Sequence, residues 1–415
     1  MSRSENNLHA VLKDCADAIR AKKQSSSLIV PRDFADEIAA INNIPGGKLV
    51  SFKDSDNITT IGTIGIKTGA INFIQFGAMK TGYSFVGWNT QPNASISNIV
   101  TPYTPTNDII LYPAFIAGKT MQLQGLGSSN YSDVSFNVEA EWPTSFEIIE
   151  DSYGNSFLRI PTIYRRVDEV VDNQITKVTY ATAESTGFEP LPAFVKNDST
   201  IRSYILIGVY QFTSTSQASS VSGTRATLSI GVARSLAKAL GSGYQIMDWK
   251  MMQVWQVLCL ARAKTINYNS GSGYASEMGM QHYNVGGWWI DGVCHNSQNC
   301  YIAYNPSKYT DNATDATDGY SKLSYSLPTN SGYEVQKLGY DANHPFANFP
   351  SAVVSNSSWN TYYCDGYYYS AISGPVVWSP GNADADCGLF FFGAYRGWSG
   401  AFGARLCWVD PDAEE

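Results

Sequence analysis

The sequence predicts a multidomain α+β protein with an N-terminal helical segment, a small β domain and a larger C-terminal domain. Three observations lead to this prediction. Apolar residues recur at helical spacing near the start of the chain, and short apolar runs between Gly, Asn and Pro turns follow them. A strong apolar helix then interrupts a region rich in Tyr, Ser, Asn and Gly. The predicted domains are residues 1–46, 47–118 and 119–415.

Residues 1–46 are predicted to form two short helices that act as an attachment or oligomerisation module. The second helix begins at Pro31, because proline suits the first turn of a helix, and Pro45 ends the pattern. Two helices of this length bury little core alone, which favours docking on another protein. The stretch 16–41 is similar to short helical modules at the N-termini of phage tail-fibre and tail-tip proteins.

Residues 47–118 are predicted to form strands at 58–66, 71–76 and 109–115, separated by turn residues. The run GYSFVGWNT at 82–90, followed by DIILYP at 108–113, is similar to the Listeria–Bacteroides repeat. This resemblance implies a β-grasp-like module that serves as a spacer or in adhesion.

Residues 119–415 are predicted to contain helices at 231–240 and 246–262. The second helix is apolar on most of its faces, which is typical of a helix buried on several sides. From Thr265 onward helical periodicity almost disappears. We therefore expect long structured loops over a small β core.

Charge and composition exclude several classes of function. The 415-residue chain has only 15% charged residues and a net charge of −8, whereas nucleic-acid binding needs clustered Lys and Arg. Its longest apolar runs, such as 204–210, are far shorter than the roughly 20 residues that cross a bilayer. The opening residues contain no stretch typical of a signal peptide. We expect synthesis in the cytoplasm without an export signal, no membrane insertion and no nucleic-acid partner.

The cysteines do not indicate a disulfide framework, because their number, seven, is odd and no secretion signal is seen. Cys294, His295 and Cys300 could begin a metal site, but zinc needs four N or S ligands and the chain has four histidines in all. Partly buried thiols are the favoured interpretation. A Cys294–Cys300 disulfide stays open for a protein outside the cell. We predict no metal and no cofactor.

No catalytic motif stands out in the sequence. It contains no Gly-x-Ser-x-Gly elbow, His-Glu-x-x-His motif, phosphate-binding loop or dinucleotide fingerprint. Carboxylate pairs of the glycosidase kind leave no sequence signature. The acidic residues of the C-terminal half, however, mostly stand beside Gly, Asn or Tyr, where carboxylates cap turns. The chain is predicted not to be an enzyme.

The composition near the C-terminus is unusual. The 76 residues from Leu338 to Ala413 contain no Lys, Glu, Gln or Met and many Tyr, Phe, Ser, Asn and Gly. Mutation directed at the adenines of a DNA template would leave this bias. Replacing either adenine of an asparagine codon (AAC or AAT) never produces a codon for Lys, Glu, Gln or Met. A Tyr-, Ser- and Gly-rich surface selected in the ordinary way has a similar composition. Both origins favour a binding surface of rigid aromatic and adaptable polar side chains.

An ordered series of motifs carries a more specific resemblance: IPTIY at 160–164, GGWWIDG at 286–292, LGYD at 338–341, GLF at 388–390 and FGARL at 402–406. The series resembles C-type-lectin-fold proteins diversified by retroelements, which include the phage major tropism determinant and related tail-tip receptor-binding proteins. The resemblance implies a C-type-lectin-like domain, often trimeric, that displays variable side chains on a constant framework.

The resemblance also indicates which residues have which role. The framework residues would be Trp378, Gly388, Gly403, Arg405 and Leu406, with buried hydrogen bonds from Arg405. The residues between them are predicted to contact ligand: Asn382, Asp384, Asp386, Phe391, Tyr395, Arg396, Trp398 and Ser399. A neighbouring patch is predicted at Tyr362, Tyr363, Tyr367, Tyr368 and Tyr369. Tyr395, Arg396 and Trp398 are the strongest candidates, because Tyr, Arg and Trp dominate binding hot spots.

The predicted function is recognition of a bacterial surface protein or glycan by a phage tail tip or fibre. The protein would be a homotrimer in the virion, joined to other tail proteins through residues 1–46. A bacterial or prophage-encoded surface or capsid-decorating protein is the alternative. Formylglycine-generating enzymes share the fold, but Cys387 and Cys407 lack the Arg-rich surroundings of that family's cysteine pair. Calcium-dependent sugar binding is not implied, since the C-terminal domain contains no Glu-Pro-Asn or Trp-Asn-Asp motif.

Overall fold

The computed structural model describes most of the chain between residues 47 and 410. The residues outside the description are 1–46, 67–68, 72–75, 100–102, 141, 144, 268–277, 282–286, 331–332, 356–361, 364, 372, 379–389, 391, 395–401 and 411–415. The predicted helical module at 1–46 therefore lies outside the described residues.

The prediction of an α+β fold with an N-terminal helical segment is wrong, because the structure is mostly β-sheet. Of the described residues, 42% lie in strands and 11% in helices, and two α-helices occur among them. Helical periodicity is visible in a sequence window, whereas short strands acquire their stability from partners far away in the chain. The prediction of the fold class therefore relied too strongly on the segments with helical periodicity.

The described residues form two compact units. One comprises 47–78 and 86–115, and the other comprises 79–85 and 116–410. The first unit is built on a four-stranded sheet of order β2-β1-β4-β3, with β1 antiparallel to β2 and parallel to β4. Its strands are β1 (Lys48–Lys53), β2 (Thr60–Ile66), β3 (Tyr83–Asn89) and β4 (Ile109–Ala117).

The core of the first unit is aromatic. Phe52 and Trp88 are buried, and their ring centroids lie 4.9 Å apart in an edge contact. The strands predicted at 58–66 and 109–115 are confirmed as β2 and β4. The third predicted strand, at 71–76, falls largely on residues outside the description.

The second unit contains three sheets. The first has the order β11-β9-β10-β5-β6, the second β13-β22-β12-β8-β7 and the third β16-β15-β14-β20-β21-β19-β17-β18. The strands are β5 (Thr120–Gln124), β6 (Ser135–Val138), β7 (Glu147–Glu150), β8 (Ser156–Pro161), β9 (Tyr164–Val171), β10 (Gln174–Ala181), β11 (Glu189–Pro190), β12 (Tyr204–Gln211), β13 (Tyr244–Ile246), β14 (Trp288–Asn296), β15 (Asn299–Ala303), β16 (Tyr320–Ser326), β17 (Tyr333–Leu338), β18 (Pro350–Val354), β19 (Gly366–Tyr369), β20 (Gly374–Trp378), β21 (Phe392–Ala394) and β22 (Arg405–Trp408).

The two helices of the second unit are α1 (Ile230–Lys238) and α2 (Trp249–Ala263). Three short 3-10 helices accompany them at Tyr131–Asp133, Pro192–Phe194 and Pro306–Lys308. Most residues of α2 are buried, which confirms the prediction that this helix is enclosed on several sides. It begins later than the predicted residue 246 because Asp248 caps it, accepting a hydrogen bond from the Met251 amide at 2.9 Å.

Arg405, the first residue of the last strand β22, forms hydrogen bonds to distant parts of the second unit. This residue is fully buried, and its guanidinium donates to the carbonyl oxygens of Gly208, Val209 and Gln281 at 2.8, 2.9 and 3.0 Å. It also lies 4.8 Å from the ring centroid of Trp288. The predicted structural role of Arg405, with buried hydrogen bonds, is confirmed.

Gly403 lies close to a buried side chain just before this strand. A Cβ atom there would come within 2.2 Å of Gln211 Oε1, so a larger residue would require the Gln211 side chain to shift. The neighbouring framework residues Trp378 and Leu406 are buried as well, and the rings of Trp288 and Trp378 meet edge to face at 5.3 Å. This packing gives the strands next to the candidate surface a rigid support.

Candidate ligand-binding surface

Three adjacent strands flank the segments that are predicted to contact ligand. β19 pairs parallel with β21, so that Tyr369 lies beside Ala394. β20 pairs antiparallel with β21, with Val377 opposite Gly393. Valine suits a pleated, buried strand, and the small residues of β21 allow its neighbours to approach closely. The parallel register therefore brings the end of β19 next to the residue that precedes Tyr395.

Eight of the predicted contact residues lie outside the described part of the chain. They are Asn382, Asp384, Asp386, Phe391, Tyr395, Arg396, Trp398 and Ser399. The described residues on either side of them are the strand ends Trp378, Phe392 and Ala394, together with Phe390 and Phe402, which lie outside strands.

Two tyrosines of the predicted neighbouring patch are core residues instead. Tyr363 and Tyr367 are 1% and 0% exposed. The Tyr363 hydroxyl accepts a hydrogen bond from Gln174 Nε2 at 3.1 Å, and the Tyr367 hydroxyl donates to Pro328 O at 2.8 Å. Burial raises the pKa of both phenols. These side chains fill the interior and do not belong to an exposed patch. Tyr367 lies on β19, where alternate side chains turn inward, and Tyr363 lies in the turn before this strand.

The other three tyrosines of the patch are partly exposed. Tyr368 and Tyr369 lie on β19, and Tyr362 precedes it. Tyr362 has a left-handed backbone with φ of 48°, and its hydroxyl lies 3.3 Å from Gln336 Nε2, which donates to it. Tyr368 and Tyr369 stand opposite Gly393 and Ala394 in the parallel pair. The structure thus brings Tyr368 and Tyr369 next to the second segment of predicted contact residues.

A buried carboxyl group, that of Asp365, binds the backbone of Phe390, the residue that follows 379–389. Asp365 and Glu334 are both fully buried, and Glu334 is paired with Gly366 in the register of β17 and β19. Asp365 Oδ2 accepts a hydrogen bond from the Phe390 amide at 2.5 Å, while Oδ1 has no partner among the described residues. Burial, together with the nearby Glu334, raises the pKa of Asp365 well above its usual range. The Asp365 carboxyl joins β19 to the residues that follow 379–389.

A small cavity lies behind Tyr363 and Phe390. Its volume is about 70 Å³ and its walls are mainly leucine, isoleucine and valine. The buried guanidinium of Arg165 is held by Asn348 Oδ1 at 3.0 Å and lies 4.1 Å from the Phe346 ring centroid. This space suits a few water molecules and is far below the size of an ordinary ligand site. It is part of the support for the surface and not a receptor site.

The structure also contains a larger polar cleft that the sequence does not reveal. It encloses about 580 Å³ and is lined by residues from separate stretches between Ala193 and Val409. No local motif marks such a site, because its members meet only in the folded chain. The one sequence signal is Lys250, a charged residue that stands in an otherwise apolar part of α2 and is buried.

The thiols at Cys294 and Cys300 are free and buried. Cys294 stands opposite Tyr301 on the β14–β15 hairpin, and Cys300 stands opposite His295. Because neighbouring residues of a strand point to opposite faces, the two sulfurs lie on different faces and cannot form a disulfide. Burial raises the pKa of Cys294 to about 12. No group of three or more His, Cys, Asp or Glu side chains that could hold a metal occurs within the described ranges.

The sequence matches no known protein-family model, and no curated protein matches it either. In the part of the chain that the structure covers, no helix has the length and apolar character needed to cross a bilayer. The functional proposal therefore depends on the residues and geometry of this chain itself.

Proposed function

We propose that the chain is a receptor-binding protein of a phage tail tip or fibre. In this proposal a variable surface near the C-terminus, on a lectin-like framework, recognises a protein or glycan of the bacterial surface. Binding is non-covalent, and the chain carries out no catalysis. The contact residues are Asn382, Asp384, Asp386, Phe391, Tyr395, Arg396, Trp398 and Ser399, with Tyr362, Tyr368 and Tyr369 beside them.

The observation that supports this proposal best is the register of β19, β20 and β21. The parallel pairing of Tyr369 with Ala394 starts the segment 395–399 beside two partly exposed tyrosines. Asp365 accepts a hydrogen bond from the amide of Phe390, the residue that follows 379–389. Described residues at one end of each segment thus contact β19, as a surface with changeable side chains on a constant support requires.

Rigid support makes such a surface effective. The buried rings of Trp288 and Trp378 and the hydrogen bonds of Arg405 hold the strands in one arrangement. Less conformational entropy is then lost on binding, and tyrosine adds large contact area at a low entropic cost.

The proposed assembly is a homotrimer in the virion, with residues 1–46 attached to other tail proteins. Several copies that face one cell bind with an avidity well above the affinity of a single site. A surface of modest affinity is therefore sufficient for host recognition.

The test is binding of the labelled full-length protein to a panel of bacterial strains. One variant carries Tyr395→Ala, Arg396→Ala and Trp398→Ala. The matched control carries Tyr153→Ala and Arg166→Ala, which remove an exposed tyrosine and an exposed arginine away from β19–β21. We expect the wild type and the control to bind some strains, and the triple variant to bind none of them.

Folding of each variant is checked by circular dichroism and by its melting temperature. Equal binding by the wild type and a folded triple variant would move the site elsewhere. No binding by the wild type to any strain, including the host of the phage or prophage that encodes it, would contradict the receptor-binding function itself.

A further inference from the structure

The polar cleft of the second unit is formed by none of the strands β19, β20 and β21. Its walls come from the 3-10 helix before β12, the turn after α1, β13 and the start of α2, the 3-10 helix after β15, and the residue that follows β22. A volume of about 580 Å³ is within the range of small-molecule sites. The residues that determine its chemistry are Arg202, Lys238, Ser242, Asp248, Lys250 and Tyr304.

The most buried polar groups of the cleft form an ion pair. Asp248 is fully buried, and its Oδ2 accepts hydrogen bonds from the Tyr309 hydroxyl at 2.7 Å and from Gln245 Nε2 at 3.1 Å. Lys250 Nζ lies 3.3 Å from the same oxygen and donates to the Tyr304 carbonyl at 2.6 Å. An ammonium has three hydrogens, so one of them has no oxygen acceptor among the described residues. These groups hold each other in place, which preorganises the cleft for a polar ligand.

One aromatic residue, Tyr304, is among those that line the cleft. Tyr304 is 38% exposed, and its ring meets Trp249 edge to face at 5.2 Å. Trp249 is itself held by a hydrogen bond from its Nε1 to Ala303 O at 2.9 Å. A partly exposed ring beside fixed polar groups matches the surface of a sugar, which has apolar C–H groups on its ring faces and hydroxyls at its edge.

The cleft is electropositive in an acidic protein. Among the residues that line it, Arg202, Lys238 and Lys250 are cations and Asp248 is the carboxylate, so three charges minus one leave two positive charges in the lining. Asp198, outside the lining, acts electrostatically on Arg202. The net charge of the chain is −8. Arg202 is positioned by hydrogen bonds to Asp410 O at 2.9 Å and Val195 O at 2.6 Å. A concave site with this local excess attracts anions.

We propose that this cleft binds an anionic saccharide unit, meaning a sugar ring that carries a carboxylate or a phosphate group. The sugar ring packs against Tyr304, its hydroxyls bond to Lys250 and to the hydroxyl and amide groups at the rim, and its acidic group lies toward Lys238 and Arg202. The site is separate from the proposed receptor surface and does not depend on the receptor-binding function.

The test is calorimetric titration of the full-length protein at millimolar ligand concentrations. The probes are methyl β-glucuronide, glucose 6-phosphate, neutral methyl β-glucoside, and acetate and inorganic phosphate as anions without a sugar. We expect at least one acidic sugar to bind roughly tenfold more tightly than the neutral sugar and the simple anions. The tighter of the two acidic sugars identifies the acidic group as carboxylate or phosphate.

Three variants place the binding in the cleft. Lys238→Ala removes an exposed cation and should reduce the preference for the acidic sugar over the neutral one. Ser242→Trp adds bulk at an exposed rim position and should abolish binding. Tyr304→Ala should weaken all sugars alike. Lys322→Ala, an exposed lysine of β16 outside the cleft, is the matched control and should leave every affinity unchanged.

Three results would overturn the proposal: no binding of either acidic sugar, equal affinity for acidic and neutral sugars, or full binding by a folded Ser242→Trp variant. These measurements use soluble sugars and no cells, so their failure is distinct from failure of the receptor-binding proposal. If the Ser242→Trp variant still binds bacterial cells, the receptor-binding proposal at β19–β21 is unaffected by the outcome of the sugar titrations.

Discussion

Replacing Arg405 by methionine should strongly destabilise the second unit. The guanidinium is fully buried and serves three backbone carbonyls, on Gly208, Val209 and Gln281. Methionine is a flexible apolar side chain that fills much of the same space, so the change mainly removes hydrogen bonds and charge and leaves little cavity. The three carbonyl oxygens then lose their donors in the interior.

The size of the effect follows from these bonds. A hydrogen bond to a charged group contributes about 1.5–3 kcal/mol, so three of them give an upper limit of about 5–9 kcal/mol. Removing a buried cation also removes its desolvation cost, which offsets several kcal/mol. We expect a net loss of about 3–5 kcal/mol in the free energy of unfolding. Arg405→Lys should cost about 2 kcal/mol, because lysine keeps the charge but lacks the planar fork.

The assay is urea unfolding followed by tryptophan fluorescence and near-ultraviolet circular dichroism. A lower midpoint at an unchanged slope indicates lost stability without a change in the exposed surface. Arg166→Met is the control, since the Arg166 side chain is 43% exposed and its ion pair with Asp168 contributes at most about 1 kcal/mol. A loss below about 1 kcal/mol in Arg405→Met would refute the reasoning.

Three further predictions concern buried groups of the same unit. Asp365→Asn should raise the melting temperature at pH 8 but not at pH 4. The pKa of Asp365 is higher in the folded than in the unfolded protein, so wild-type stability falls as the pH rises from the unfolded-state pKa of 3.8 through the folded-state pKa. The same change in melting temperature at both pH values would contradict this. Cys294 and Cys300 should resist iodoacetamide in the native protein and react in guanidinium, as peptide mass spectrometry can show, whereas rapid native alkylation of either would contradict their burial. Tyr367→Ala should cost about 3–5 kcal/mol in chemical unfolding and Tyr368→Ala less than about 1 kcal/mol, and equal losses would show that the two side chains are not on opposite faces.

Local patterns were sufficient for some features of this protein. The helical spacing and apolar content of 246–262 predicted a buried helix, and α2 is one, because helix formation depends on near neighbours in the chain. The resemblance of the short motif at 402–406 implied a structural role with buried hydrogen bonds for Arg405, and the structure contains these hydrogen bonds.

Other features depended on pairing between distant segments. The sequence alone could not show that Tyr363 and Tyr367 face inward. The orientation of Tyr367 follows from the register of β17, β19 and β21, and Tyr363 is buried against distant residues such as Gln174. The sequence left a Cys294–Cys300 disulfide open for a protein outside the cell, and the hairpin register excludes it because it places the two thiols on opposite faces.

The sequence by itself therefore determined the features that are encoded within one turn of helix or one short motif: α2, its burial and the framework role of Arg405. Only the tertiary structure decided the mostly β fold class, the parallel pairing of β19 with β21 and the cleft around Lys250. Strand order and clefts arise from contacts between residues far apart in the chain, and no local pattern records which distant partners will meet.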